Sequence, residues 1–166
     1  MKLSEIKGLK YPDEYIIKFF FSNQMQVQKD LNVLELGCGN GSNLMLPYNY
    51  DNNVIGVDFD STLIEYAKHN FQLIANTSKY NFYDTDIREY VKNNCNLKID
   101  ILLLPSVIYY IDKNSFINLL DNLISNQLLR ESIPFYIRFR TIRDFRFGLG
   151  KKIEKNCYKM PADSIT

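Results

Sequence analysis

Short apolar runs alternate with amphipathic stretches along the chain, and this alternation predicts the order of its strands and helices. Runs of mainly apolar residues predict five strands, at residues 31–36, 53–58, 80–83, 99–104 and 134–140. Apolar positions at helical spacing predict helices between and before them, at residues 12–28, 42–48, 60–74, 87–94 and 116–124. Strands that alternate with helices indicate an α/β domain of the doubly wound type, with a mostly parallel sheet.

Three details of the pattern refine this prediction. Residues 99–104 are almost continuously apolar, which is typical of a strand covered on both faces. Residues 134–140 instead alternate, which is typical of an edge or half-covered strand. Residues 149–166 are polar and weakly patterned, and we expect a loop or a frayed helix there. A capping box at residues 62–65 predicts a helix start, with Asp60, Ser61 or Thr62 as the cap.

Three alternating glycines follow the first predicted strand. Gly37, Gly39 and Gly41 permit positive φ angles and let the main chain approach a ligand closely. The next turn then offers free N–H groups to a negatively charged part of that ligand. The spacing differs from the dinucleotide fingerprint, in which a third glycine would stand at Ser42, so NAD is disfavoured. Asp58 ends the next strand, where a carboxylate can accept hydrogen bonds from ribose hydroxyls.

Composition limits the classes of partner. The chain of 166 residues suits a single domain spanning residues 1–166. Its net charge of +1 gives no global attraction to nucleic acid or to an anionic membrane, and we expect neither as a partner. It has no signal-peptide pattern and no long apolar run, so a cytoplasmic location is expected. The three cysteines lack Cys-x-x-Cys spacing, and no metal site is predicted.

Three segments resemble class I S-adenosylmethionine-dependent methyltransferases: residues 35–41, 56–58 and 83–87. The resemblance extends from the N-terminal helix to the fifth strand. It implies a Rossmann-like sheet in the order 3-2-1-4-5 with an N-terminal cover helix, and methyl transfer that leaves S-adenosylhomocysteine. The family's sheet has two further strands. We therefore expect either a fragment or a shortened variant, whose fifth strand would be an exposed edge suited to homodimer formation.

The resemblance also implies which residues hold the cofactor. The glycines would cradle its methionine part, Glu35 would stabilise its cationic half, and Asp58 would hold its ribose. Phe59 would pack on the adenine, which Asp86 and the main chain of Ile87 would hydrogen-bond. The full predicted set is Glu35, Gly37, Cys38, Gly39, Gly41, Asn43, Asp58, Phe59, Asp86, Ile87 and Leu104. The side chain of Cys38, between two glycines, is interpreted as a small inert residue rather than a nucleophile.

Two features of the sequence bear on the methyl acceptor. Residues 104–110 lack the Asp/Asn-Pro-Pro-Tyr/Phe sequence of the family's amino-methyltransferases, which favours O-methylation of a small molecule. Residues 138–146 contain four arginines, which suit a phosphate- or carboxylate-bearing acceptor, including sugar-linked ones. A solvated, partly salt-bridged face explains the same arginines equally well. The predicted acceptor-binding residues are Arg138, Arg140, Arg143 and Tyr110, and the candidates for a catalytic role are Tyr11, Tyr109 and Arg140.

Three alternatives to this function remain. A catalytically silent module could bind S-adenosylmethionine and regulate a partner. An aminopropyltransferase of similar fold is disfavoured because no acidic polyamine site follows the fourth strand. A dehydrogenase is disfavoured by the glycine spacing.

Overall fold

Five parallel strands form the central sheet in the computed structural model, which describes residues 3–74, 77–155 and 157–159. Their order is β3-β2-β1-β4-β5, which confirms the order that the family resemblance implies. The strands are β1 (Asn32–Leu36), β2 (Asn53–Asp58), β3 (Tyr80–Asp84), β4 (Ile101–Pro105) and β5 (Phe135–Arg138). In the register of the central strand, Val33 pairs with Val54 on one side and Ile101 on the other.

Within the described residues, five α-helices and three short 3₁₀ turns connect or precede the strands. The helices are α1 (Glu14–Ser22), α2 (Met45–Asn49), α3 (Ser61–Ile74), α4 (Ile87–Asn93) and α5 (Lys113–Ser125). The 3₁₀ turns are Leu3–Glu5, Met25–Val27 and Val107–Tyr109. None of the helices in the described part of the chain is both long and apolar enough to cross a membrane. The helix predicted to run to residue 28 ends at Ser22, because Gln24 adopts a left-handed conformation with φ 55°.

The strands bury side chains on both faces, which is why their sequences read as continuous apolar runs. Val33 and Leu103 point into one core cluster, which α1, α2 and α3 cover. Leu34 and Leu104 point into the other cluster, which α4 and α5 cover. The predicted doubly wound architecture is therefore confirmed.

Aspartates begin most of the helices. Asp13 caps α1, so Pro12 lies just outside the helix rather than in its first turn. The side chain of Asp60 accepts hydrogen bonds from the backbone N–H groups of Thr62 and Leu63, at 2.9 and 3.2 Å. Asp60 is thus the cap of α3. The capping box predicted at residues 62–65 is wrong, because Thr62 already lies inside the helix.

The C-terminal region differs from the prediction of a loop or frayed helix. Lys151–Glu154 and Cys157–Lys159 form two strands, β6 and β7, which pair as an antiparallel hairpin separate from the main sheet. β6 is exposed at residues 151–153, so it lacks the alternation of buried and exposed positions that reveals a strand. Residues 156 and 160–166 lie outside the described residues. β5 is an edge of the main sheet, as predicted, and the homodimer expected through that edge stays a prediction.

Gly56 in β2 leaves no room for a larger side chain, because the core packs directly against its main chain. A Cβ atom there would lie 2.6 Å from two ring atoms of Phe82 and 2.8 Å from the Cys38 Sγ atom. We expect Gly56→Ala to lower the free energy of unfolding by about 1–3 kcal/mol, the usual cost of overpacking a core. Urea denaturation measures this change. Combining it with Phe82→Leu should return part of the loss, and a single variant as stable as the parent chain would contradict the prediction.

Candidate functional site

The carboxyl ends of β1 and β2 meet at the glycine loop, residues 37–41. The backbone N–H groups of Gly37 and Cys38 donate to the carbonyl oxygen of Val57, at 2.7 and 3.1 Å. The N–H of Gly41 then donates to the carbonyl of Cys38 at 3.0 Å, which closes the turn. The loop is therefore fastened to the end of the neighbouring strand.

The three glycines of this loop have positive φ angles of 79°, 53° and 75°, but different surroundings. A Cβ atom at Gly37 would lie 2.6 Å from Cγ2 of Val107, and one at Gly41 would lie 3.1 Å from the Phe82 ring. At Gly39 the nearest heavy atom would be Cδ1 of Leu63, at 4.0 Å. Packing thus requires the two outer glycines, while the middle one borders space from which a ligand can approach the main chain.

Asp58 supports this loop from the end of β2. One carboxylate oxygen accepts from the N–H of Gly39 at 2.8 Å, and the other accepts from the N–H of Asp60 at 3.0 Å. Asp58 itself is only 8% exposed. Each oxygen of a carboxylate has a second lone pair, so Asp58 can hold the loop and still accept two hydroxyl hydrogen bonds.

Glu35 lies beneath the loop and is fully buried. Its Oε1 atom accepts a hydrogen bond from Nδ2 of Asn43 at 2.7 Å, whereas Oε2 has no partner among the described residues. Burial raises the pKa of Glu35 to about 8, Asn43 opposes the shift, and the nearby charge of Asp58 adds to it. A buried acid with an unpartnered oxygen fits the cationic part of a ligand, which would favour its ionised form.

The side chains of two residues predicted to contact the cofactor, Cys38 in the glycine loop and Leu104 in β4, face the core instead. The Cys38 thiol is buried against Gly56, and this burial raises its pKa well above the usual range. That environment agrees with the inert role expected for Cys38. The side chain of Leu104 is buried in the cluster beneath α4 and α5, so only its main chain is available to the site.

The predicted adenine contacts lie after β2 and β3. Asp86 caps α4 through the N–H of Arg88 at 2.7 Å, and its carboxylate also forms an ion pair with the Arg88 guanidinium. This pairing lowers the pKa of Asp86. Ile87 is buried, and Phe59 is exposed by 73%. The roles of these residues toward adenine stay predictions.

A segment before α1 covers the glycine loop, and the sequence did not indicate what holds it there. Asn40 in the loop donates from Nδ2 to the carbonyl oxygens of Lys7 and Leu9, at 2.7 and 2.8 Å. Asn70 accepts from the N–H of Lys7 at 2.8 Å and donates to its carbonyl at 2.9 Å. The one available signal is Asn70 itself, a polar residue on the otherwise apolar buried face of α3.

The turn after β4 connects the glycine loop to an arginine. Val107 packs against Gly37, and Tyr109 follows at the end of the same 3₁₀ turn. The Arg140 guanidinium lies 4.2 Å from the centroid of the Tyr109 ring, and its Nε atom is 3.9 Å from a carboxylate oxygen of Asp144. Burial raises the pKa of Tyr109, while Arg140 opposes the shift. The structure thus brings Arg140 and Tyr109 together, at the end of a turn whose first residue contacts the glycine loop.

The other residues predicted for the acceptor have different surroundings. Arg138 forms an ion pair with Asp13, and its guanidinium lies over the Tyr15 ring. Arg143 is exposed, and its backbone N–H donates to the side chain of Thr141. Tyr11 and Tyr110 are also exposed. Roles for Arg143, Tyr11 and Tyr110 stay predictions.

A concave feature away from the glycine loop lies at the amino-terminal ends of β4 and β5. It encloses about 180 Å³ between the Met25–Val27 turn, the start of β4 and the loop before β5. Asp100 and Arg130 in its lining form an ion pair with each other at 2.6 Å. Doubly wound sheets bind ligands at the carboxyl ends of their strands. Together with the unpartnered Glu35 oxygen, this rule places the candidate site at the glycine loop.

Comparison with known proteins gives a family match over most of the chain. A family model described as a methyltransferase domain matches residues 27–157. Protein 235L of Invertebrate iridescent virus 6, whose name describes it as a candidate methyltransferase, is 29% identical over 92 residues. That match covers 54% of this chain and 31% of the viral protein, so the chain spans about a third of that relative's length.

Solved structures of similar fold include two methyltransferase-related proteins. A protein of Haemophilus influenzae described as a candidate methylase superposes with a TM-score of 0.63 at 16% identity, covering 75% of this chain and 77% of that one. Magnesium protoporphyrin IX methyltransferase of Synechocystis, with S-adenosylmethionine bound, gives a TM-score of 0.55 at 17% identity, covering 69% and 52%. At these identities the likeness concerns the fold.

Proposed function

The chain belongs to the family of methyltransferase domains, and we propose that it transfers a methyl group from S-adenosylmethionine to a small anionic acceptor. The family match confirms the resemblance to class I methyltransferases. The observation that carries the proposal is the buried Glu35 carboxyl, whose Oε2 atom has no partner in the described structure, under a loop of three positive-φ glycines. A cationic ligand held by that loop explains why an acid is buried there.

The residues at the glycine loop fit the parts of S-adenosylmethionine. Gly39 offers main chain beside open space, Glu35 offers a carboxyl to the ammonium group, and Asp58 has lone pairs left for the ribose hydroxyls. The bound molecule supplies a methyl group on a positively charged sulfur, which is a good leaving group. A solved methyltransferase of similar fold has been crystallised with this molecule, which supports the assignment.

The protein's contribution to such a reaction is mainly geometric. Methyl transfer is an in-line displacement, so donor and acceptor must be held in line at near-attack distance, with water excluded. The Val107–Tyr109 turn contacts the glycine loop and carries the ring on which Arg140 rests. An acceptor whose phosphate or carboxylate binds Arg140 would thus be held beside the donor. We propose an acceptor oxygen as the atom methylated.

The proposal is tested first by binding and then by turnover. Calorimetry with S-adenosylmethionine, S-adenosylhomocysteine and NAD separates a methyltransferase site from a dinucleotide site. Binding of NAD alone would overturn the proposal. A screen of phosphorylated and carboxylated small molecules with methyl-labelled donor then identifies the acceptor. Binding without transfer to any of them would favour the silent regulatory module over the enzyme.

Replacing Arg140 with alanine tests the acceptor site. We expect KM for an anionic acceptor to rise about 10- to 100-fold, the effect of losing a charge-assisted hydrogen bond, with the affinity for S-adenosylmethionine unchanged. Steady-state kinetics and calorimetry measure the two quantities. The matched control is Arg130→Ala, near the amino-terminal ends of β4 and β5. This substitution removes an arginine that is also paired with an aspartate. Equal effects of both substitutions on KM would contradict the assignment of Arg140.

A further inference from the structure

A continuous line of polar contacts connects the floor of the donor site to the edge of the sheet. Glu35 accepts from Asn43 Nδ2 at 2.7 Å, and Oδ1 of Asn43 accepts from the backbone N–H of Asp13 at 2.9 Å. The Asp13 carboxylate in turn holds the guanidinium of Arg138. The line thus joins β1, the second residue after the glycine loop, the start of α1 and the last residue of β5.

The Asn43 carboxamide can serve this line in one orientation only. Its NH₂ group faces the carboxyl of Glu35, and its oxygen faces the N–H of Asp13. A flipped amide would point oxygen at oxygen and N–H at N–H, which loses both hydrogen bonds. A displacement of Glu35 or of Asp13 therefore strains both hydrogen bonds of Asn43, so the two residues are expected to move together.

The carboxylate of Asp13 contacts two elements, α1 and the end of β5. One carboxylate oxygen accepts from the N–H of Tyr15 at 2.9 Å and so caps α1, while the other holds Arg138. The guanidinium of Arg138 also lies 5.4 Å from the centroid of the Tyr15 ring, on the same helix. The first turn of α1 and the end of β5 are consequently fixed by the same side chain.

At the other end of this line, the Glu35 carboxyl has an oxygen atom available to a ligand. Oε2 of Glu35 is buried and has no partner in the described ranges, so a cationic group above it would favour the ionised carboxylate and pair with it. An ionised carboxylate also accepts the Asn43 hydrogen bond more strongly than a neutral acid does. Ligand binding thus tightens the first contact of the line.

We propose that Asn43 and Asp13 are positioning residues that couple the binding of the methyl donor to the placement of α1 and of Arg138 at the acceptor edge. This inference rests on the proposed binding of S-adenosylmethionine at Glu35. Because coupling between two sites is reciprocal, a change at Arg138 must also alter donor affinity, although Arg138 is held by α1 rather than by the glycine loop.

A double-mutant cycle tests this coupling by calorimetry with S-adenosylmethionine. We expect Arg138→Ala to weaken donor binding about fivefold or more, within the usual range of such coupling. In the Asn43→Ala background the same substitution should have no further effect, since the link is already broken. The matched cycle of Asn43→Ala with Arg140→Ala should be additive, because Arg140 rests on Tyr109 and lies outside the line.

Hydrogen exchange supplies a readout that a purely structural role would not change. Amides of residues 15–22 should exchange more slowly after S-adenosylmethionine is added to the parent chain and to Arg140→Ala, but not to Asn43→Ala. Additive effects in the Arg138 cycle, or equal protection in all three proteins, would overturn the coupling while the donor still binds. Failure of the parent chain to bind the donor would instead overturn the proposed function.

Discussion

Replacing Asp58 with alanine is expected to weaken the binding of S-adenosylmethionine by about 100-fold or more, because hydrogen bonds to a charged group contribute about 1.5–3 kcal/mol each. The substitution removes the acceptors proposed for the two ribose hydroxyls. It also releases the N–H of Gly39, which Asp58 holds at 2.8 Å, and so loosens the loop that the ligand contacts. Calorimetry measures the affinity, and circular dichroism checks that the variant remains folded.

The chain offers a matched control for this experiment on the next strand. Asp84 pairs with Asp58 in the register of β2 and β3, stands at the same edge of the sheet and is exposed. Asp84→Ala therefore removes a carboxylate at the same edge of the sheet, without the contacts to the loop, and should leave donor affinity within about twofold of the parent value. Equal losses for the two variants would show that general charge at this edge, rather than the position of Asp58, governs binding.

Much of the fold was predictable because its determinants are local in sequence. The central strands are covered on both faces, so each appears as an apolar run. A glycine follows β1 and an acid ends β2. Exposed β6 has no such pattern and was missed. The sequence leaves the cap of α3 open, because Asp60, Ser61 and Thr62 all suit a helix cap and only the three-dimensional backbone selects Asp60.

The candidate site likewise contains residues that the sequence predicted and long-range contacts that it did not predict. The glycines and Asp58 could be identified because strand ends bring them together by a general rule of this architecture. The contacts of Asn70 with Lys7 span 63 residues, and that of Arg138 with Asp13 spans 125. Polar pairs so far apart leave no periodic mark in the sequence. Each of these polar groups could equally well be hydrated at the surface, so the presence of one partner in the sequence does not predict the other.

Glu35 is expected to make the stability of the protein fall as pH rises from about 4.5 to about 8. Its pKa is raised from the usual 4.5 to about 8 in the folded chain, so the folded state binds this proton more tightly than the unfolded state. The resulting stabilisation is complete below pH 4.5 and is lost as the pH rises through 8. Its size is on the order of 5 kcal/mol at 1.4 kcal/mol per pKa unit. Urea denaturation at pH 5 and pH 8.5 measures the change.

Glu35→Gln isolates this contribution, because the amide keeps an oxygen for the hydrogen bond from Asn43 but cannot ionise. We expect the variant to gain stability relative to the parent chain as the pH rises from 5 to 8.5, by several kcal/mol on the scale of that pKa shift. The same variant should bind S-adenosylmethionine more weakly, since its cationic part loses a carboxylate partner. A stability difference that is independent of pH would mean that Glu35 is already ionised in the folded chain. A gain in stability together with a loss of affinity would identify the buried acid as a residue retained for its ligand, because without one its burial only lowers stability at neutral and higher pH.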